Sequence, residues 1–271
     1  REYHLPVYPS LNEILIYEDK KYFSLWCKEN GIPTPKTYVF ENYNDADDFI
    51  RRTSFPLVAK TSTGASGSGV EIIRNRNQGI DYIVEAFYGK GIKRRAGPDL
   101  SKGNILKRGL KYLFSPEKIG MKIFLYHQRF KERQKGFVIF QEFINHNYEW
   151  RVVRIGNSFF AHKKLVSGWK ASGSLLKNYD DPPLSLLDFV KDVTGRHQFY
   201  SQAVDIFETP SGFLINEMQC IFGQSDPYQM MVGGIPGRYV FENGAWKFEA
   251  GDFARNQCYN LRVEWVINMF E

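Results

Sequence analysis

The sequence predicts an α+β protein with antiparallel sheets, and three observations carry that prediction. The stretch from Phe55 to Ile73 reads as strand, lysine, small-residue loop, strand. From Gly136 to Gln219 the pattern is mainly β, with hairpin turns at Gly156-Asn157 and Pro210-Ser-Gly212. Helical spacing is confined to separate stretches, notably 19–30, 44–53 and 184–196. At 271 residues the chain can hold one large domain or two smaller ones.

Residues 1–18 are aromatic and mixed, without a clear period. Asp19-Lys20-Lys21 opens a helical pattern running to about Asn30, with Phe23, Trp26 and Cys27 on one face. Gly31 stops it, and Pro33-Thr-Pro35 forces an extended exit. Tyr38-Val-Phe40 is a short strand, and residues 44–53 read as a helix capped by Asn44 or Asp45. Leu57, Val58 and Ala59 form a strand entered from Pro56. Lys60 follows, then a loop of Thr, Ser, Ala and Gly, and Val70, Ile72 and Ile73 resume a β run. Residues 78–89 read as helical or mixed. Residues 90–136 are a basic, partly helical insertion, with 117–133 as one helix. Phe137 to Phe140 is a strand, ended by Gln141-Glu-Phe-Ile144. Tyr148 to Ile155 alternates and pairs back with Ser158 to Val166. Residues 184–196 form a helix with Leu187, Val190 and Val193 on one side. Ser201 to Phe207 and Phe213 to Gln219 make a second hairpin. The tail from Gly233 is turn-rich, and Tyr259 to Phe270 reads as a closing helix.

Hydrophobic content of 43% with 24% charged residues is that of a folded soluble protein. No signal peptide and no apolar run long enough to span a bilayer is apparent. The three cysteines are far apart and lack zinc spacing, which points to a reducing compartment, the cytoplasm. The net charge of +6 is concentrated between Lys90 and Lys135. That excess is either a solvated surface or a patch for an anionic partner: a phosphorylated or uronic substrate, nucleic acid or a membrane surface.

The loop after Lys60 contains Gly64, Gly67 and Gly69. Glycine lets backbone N–H groups approach an anion, and Lys60 adds positive charge beside them. The simplest reading is a triphosphate cradle; a flexible hairpin is the alternative. No Gly-Lys-Ser/Thr closes the loop, so it is not a Walker A motif. Lys60 precedes the glycines, unlike the lysine of a kinase. No acidic residue ends a following βα unit, so it is not a dinucleotide fingerprint. Asp205 and Glu217 stand on adjacent strands of one hairpin, and Gln219 shares a face with Glu217. Buried carboxylates need partners, and these three oxygen ligands suit Mg²⁺; a structural ion pair is the alternative. The exit of the strand at Gln141 to Ile144 can hydrogen-bond an adenine edge. Glu149 can bind ribose, and Arg151 can grip phosphate as a fork; an ordinary strand with charged neighbours is the alternative. Lys163 and Lys164 lie on the next strand, at least one facing the same cleft. Ser172-Gly-Ser174 is a further anion-friendly segment.

The order of these pieces resembles the ATP-grasp superfamily, nearest to its ribosomal-protein glutamate ligases and glutathione-synthetase-like carboxylate–amine ligases. The matching features are Asp19-Lys20, Pro33-Thr-Pro35, Pro56-Leu-Val-Ala-Lys60, Gly64-x-x-Gly67-x-Gly69-Val70, Gln141-Glu-Phe-Ile144, Glu149-x-Arg151, Val204-Asp205-Ile206 and Glu217-x-Gln219. The resemblance implies two α+β subdomains gripping ATP between antiparallel sheets, with the N-terminal pre-ATP-grasp domain reduced or absent. It implies an N-terminal segment and linker helix over 1–37, a small subdomain over 38–144 and a large subdomain over 145–271. Lys20, Lys60 and the flap residues Gly64, Ser66, Gly67, Ser68 and Gly69 would bind the nucleotide, with Gln141, Glu142, Phe143 and Ile144 toward adenine. Glu149 would take the ribose, Arg151 and Lys164 the reacting phosphoryl group, and Asp205, Glu217 and Gln219 the Mg²⁺, or Mn²⁺ in its place. Two departures stand out: Gln219 replaces the family's Asn, and little precedes Asp19-Lys20. The implied activity joins a small-molecule carboxylate to an amine through an acyl phosphate, in peptide or surface-glycan biosynthesis. A catalytically altered nucleotide-binding module and a phosphotransferase acting on a hydroxyl are the alternatives.

Overall fold

A computed structural model describes residues 7–64, 68–93, 120, 132–168, 171, 176–223 and 228–270. The described residues form two compact units: one runs to Pro35 and resumes at Ile144, and the other spans Lys36 to Phe143.

The first unit begins with helices α1 (Leu11–Glu18) and α2 (Lys20–Glu29). A capping box starts α1: Ser10 Oγ accepts from the Glu13 amide, and Glu13 Oε2 accepts from the Ser10 amide. The sequence reading gives no helix here, because residues 11–18 lack a sharp apolar stripe. The Ser10-x-x-Glu13 spacing is the signal that finds it. Asp19 caps α2 by accepting from the Lys21 and Tyr22 amides. Phe23, Trp26 and Cys27 are buried together, and Gly31 ends the segment at φ +63°.

In the second unit, β1 (Thr37–Phe40), β2 (Leu57–Lys60), β3 (Val70–Ile73) and β6 (Val138–Glu142) form an antiparallel sheet in the order β1-β6-β2-β3. Helices α3 (Tyr43–Arg52) and α4 (Arg76–Phe87) supply Ala46, Ile50, Ile83 and Ala86 to a core with Leu57, Ala59, Val138 and Phe140. The cap of α3 is Asn42, whose side chain accepts from the Asp45 amide at 2.9 Å, so the cap lies ahead of the expected Asn44 or Asp45. Strands β4 (Ile92–Lys93) and β5 (Arg133–Gln134) pair as a short ribbon. Arg133 is therefore extended rather than the end of a helix over 117–133. Within that expected helix Gly120 is helical, and 117–119 and 121–131 lie outside the described residues.

The rest of the first unit is a larger antiparallel sheet. Its strands are β7 (Tyr148–Ile155), β8 (Ser158–Leu165), β9 (Lys177–Asn178), β10 (Ser201–Thr209), β11 (Gly212–Gln219), β12 (Met231–Val232), β13 (Ile235–Glu242) and β14 (Ala245–Ala250). The main order is β11-β10-β7-β8-β13-β12. Helix α5 (Leu184–Arg196) buries Leu186, Leu187, Val190 and Val193 against it. Arg154 is buried on that side, donating to Thr194 Oγ1 at 2.7 Å and to the Lys191 carbonyl. Helix α6 (Tyr259–Phe270) closes the chain as expected. The β13–β14 hairpin replaces the expected run of turns. Its turn, Asn243-Gly244, has positive φ at both residues, which is the two-residue hairpin signature. No helix among the described residues is long and apolar enough to cross a membrane.

Candidate functional site

The alternation of β7, β8, β10 and β11 assembles a polar face in the first unit. Glu149 is paired across the sheet with Lys164, Arg151 with His162 and Asp205, and Asp205 with Glu217. Arg151 grips Asp205 as a fork, Nε donating to Oδ1 at 2.8 Å and Nη2 to Oδ2 at 3.1 Å. Its Nη2 also donates to Gln219 Oε1 at 3.0 Å. Lys164 Nζ donates to Asp205 Oδ2 at 2.7 Å and stands 2.9 Å from Glu149 Oε2. Asn216 Nδ2 donates to Glu149 Oε1 at 3.2 Å. The network thus runs Gln219–Arg151–Asp205–Lys164–Glu149–Asn216.

Asp205 is fully buried, and its charge depends on its neighbours. Burial alone raises a carboxyl pKa; Arg151 and Lys164 outweigh it and hold Asp205 below its ordinary value. Burial lowers the pKa of a cation, yet Asp205 outweighs it and raises both Arg151 and Lys164. His162 has its Nδ1 2.8 Å from the Gln229 carbonyl, so Nδ1 carries the proton. Burial, with Lys177 adding to it, pushes His162 down to about 3, so the ring is neutral.

Sequence reasoning missed two members of this face. His162 stands two residues before Lys164, so the same period of two finds it. Asn216 has no such signal. Asp205 pairs with Glu217 while Ile206 pairs with Ile215, so Asn216 is the extra residue of a β-bulge. Lys163 and Lys164 separate by face. Lys163 pairs with Asp180 at 2.8 Å and lies over the Tyr148 and Trp150 rings.

The expected metal ligands fit a cation unevenly. Both Asp205 oxygens are on Arg151 and Lys164, and Gln219 Oε1 is on Arg151. Glu217 is half-buried, and its side chain forms no hydrogen bond or ion pair among the described residues. Among those residues no cluster of three or more His, Cys, Asp or Glu is set to hold a metal. The face carries three carboxylates (Glu149, Asp205, Glu217), and Lys177, opposite Lys164, joins Arg151 and Lys164 as a third cation, so the formal charges balance. Glu217, outside the ion-pair network, is the oxygen donor left for a hard divalent ion completed by phosphate oxygens.

In the second unit, Lys60 ends β2 on the sheet face opposite the helices, with Val58, Ile139 and Gln141. The loop after it is closed at its base. Thr61 N donates to the Gly69 carbonyl at 2.8 Å, and Thr61 Oγ1 to the Thr63 carbonyl at 2.7 Å. A Cβ on residue 69 would stand 1.8 Å from Thr61 Oγ1, so any other residue would force the Thr61 side chain to move. Gly64 has φ +132°, a conformation that L side chains rarely adopt. Ser68 lies in the turn before β3, while Ser66 and Gly67 are outside the described residues, as are residues 172–174. Gln141 is buried and donates to Thr37 Oγ1 at 3.0 Å. Glu142 Oε1 accepts from the Lys36 amide at 2.8 Å. Phe143 and Ile144 follow β6 as non-strand residues. Lys20 is the first residue of α2, in the first unit.

Residues 18–97 match the family model of the phosphoribosylglycinamide synthetase ATP-grasp (A) domain. Two solved structures resemble the chain at a TM-score of 0.50 and 14% identity. One is an N5-carboxyaminoimidazole ribonucleotide synthetase from Thermus thermophilus, covering 81% of this chain and 49% of that one. The other is the biotin carboxylase domain of Hydrogenobacter thermophilus 2-oxoglutarate carboxylase, covering 80% and 42%. A RimK-domain ATP-grasp protein from Sphaerobacter thermophilus resembles it at 0.49 and 15% identity, covering 81% and 65%. The chain therefore spans about two fifths to two thirds of the length of these structures.

Proposed function

From the ATP-grasp fold that this chain has, we propose an ATP-dependent carboxylate–amine ligase. The observation that carries the reading is the buried Arg151–Asp205–Lys164 network with Glu217 beside it. Asp205 fixes two cations on one sheet face, where they meet negative charge that grows on a transferring phosphoryl group. Lys60 and the backbone N–H groups of the loop after it hold the triphosphate. Lys20 and the strand exit from Gln141 to Ile144 receive the nucleotide's base end. Glu149, which takes the ribose in this reading, is buried against Lys164. Glu217, with Gln219 and Asp205, would hold Mg²⁺, which when bound would neutralise phosphate charge.

In the reaction, a substrate carboxylate oxygen attacks the γ-phosphorus and ADP leaves. An amine then attacks the acyl carbon, phosphate leaves and the nitrogen gives up a proton. No side chain is needed as nucleophile; positioning and charge carry the rate. The acid and amine belong to peptide or surface-glycan biosynthesis in this reading. The basic stretch between Lys90 and Lys135 serves an anionic substrate or partner. The three free, buried thiols Cys27, Cys220 and Cys258 favour a reducing compartment, the cytoplasm. The test is ADP release screened over amino acids and sugar acids. Lys60→Ala and Glu217→Ala should each abolish it, and wild-type rates in both variants overturn the assignment. Hydroxylamine added to the turnover should yield a hydroxamate. Turnover without one indicates a phosphotransferase instead.

A further inference from the structure

A backbone N–H near the start of the glycine-rich loop is held by a residue far away in sequence. Ser62 N donates to Gln134 Oε1 at 2.6 Å, across 72 positions. The other end of the same amide is also engaged, Nε2 donating to the Phe137 carbonyl at 3.1 Å. A backbone N–H requires an acceptor and a carbonyl requires a donor, so the two bonds fix which way the amide faces. Gln134 is itself held by the β4–β5 ribbon, opposite Ile92. The ribbon is fastened to α4, because Gly136 N donates to the Ala86 carbonyl and Gly91 N to the Glu85 carbonyl. Its two β5 residues go separate ways: Arg133 lines a cavity of about 580 Å³ with Glu71, Asp81 and Glu85, while Gln134 reaches the loop.

We propose that Gln134 is a positioning residue for the phosphate-binding loop. Its side-chain amide fastens the loop's first turn, at Ser62, to the β4–β5 ribbon, so the start of the loop is set before a nucleotide arrives. Thr61 N to Gly69 O and Thr61 Oγ1 to Thr63 O close the loop's neck from within. Gln134 links the start of the loop to the ribbon, on which the basic stretch of the sequence leaves and returns. The proposal rests on the nucleotide reading of the loop given above.

Gln134→Met tests it, because methionine keeps the length of the side chain and removes both hydrogen bonds. Two measurements on the full chain are paired. In the nucleotide-free protein, amide exchange at Ser62 should speed up about tenfold, with exchange in β2 and β6 unchanged. In calorimetric titration with Mg²⁺ and a non-hydrolysable ATP analogue, affinity should fall about fivefold, as expected for one lost hydrogen bond. Affinity for adenosine, which has no phosphates, should stay within twofold. A general structural defect would weaken both ligands alike and lower the melting temperature, and that pattern overturns the proposal. Unchanged Ser62 exchange also overturns it, while leaving the nucleotide reading intact. If the wild-type chain binds no ATP analogue, the nucleotide reading fails, and with it the purpose assigned to Gln134, even where Ser62 exchange responds.

Discussion

The sheet face of the first unit and the glycine-rich loop of the second are held in place by opposite means. The face uses long side chains. Arg151 and Lys164 converge on the buried Asp205, and each charge is held in place by the next. The loop uses the backbone. It has small residues, a glycine at φ +132° and a glycine where any Cβ would collide with Thr61. Buried charges are costly alone and stable only as a set, so the face stands or falls together. Backbone N–H groups cost little to present, but they need straps to stay in place. The face should therefore report damage as lost stability, and the loop as lost binding.

The largest effect separates the two directly. Asp205→Asn leaves Arg151 and Lys164 buried without their shared counter-charge, and should cost about 3–5 kcal/mol of stability. Lys60→Ala should cost about 1 kcal/mol or less, while removing nucleotide binding. Urea unfolding of both variants beside the wild type checks the contrast. A loss below about 1 kcal/mol for Asp205→Asn would mean that the face is not held by mutual charge.

The same contrast appears in acid. His162 titrates at about 3 in the folded protein and near 6.5 when unfolded. Between those values the unfolded chain binds a proton that the folded chain refuses. Stability is thus fully present above about pH 6.5 and declines toward pH 3, at up to about 1.4 kcal/mol per pH unit. Asp205, held below its usual range, adds loss in the same direction at the acid end. His162→Gln should flatten the slope between pH 6 and 4 in denaturant melts. An unchanged slope would show that other groups set it.

What could be read from the sequence follows the range of the signal. Strand and hairpin boundaries from Tyr148 to Gln219 are local, set by a period of two and by turn residues. That period also brings Arg151, Lys164, Asp205 and Glu217 to one face. The capping box of α1 and the Asn243-Gly244 turn were equally local, but each lay in a stretch without strong apolar periodicity. The bulge at Asn216 and the reach of Gln134 to Ser62 are different. They depend on which strands meet, and no spacing within either segment encodes that.

The smallest effect tests whether position rather than charge makes the face. Lys163 and Lys164 are neighbours on β8 and point to opposite sides of the sheet. Lys163 pairs with Asp180, whose side chain is 46% exposed, so that ion pair is screened by water. Its contacts over the Tyr148 and Trp150 rings, at 4.2 and 4.9 Å, add a modest cation–π term. Lys163→Met should therefore cost about 1 kcal/mol and leave ADP release within about twofold of wild type. Lys164→Met removes the same charge one residue later, but breaks the buried bond to Asp205. It should lower stability by about 3 kcal/mol and end turnover. Equal effects of the two substitutions, in melting or in ADP release, would show that the face gains nothing from Asp205 and that net positive charge near β8 is enough.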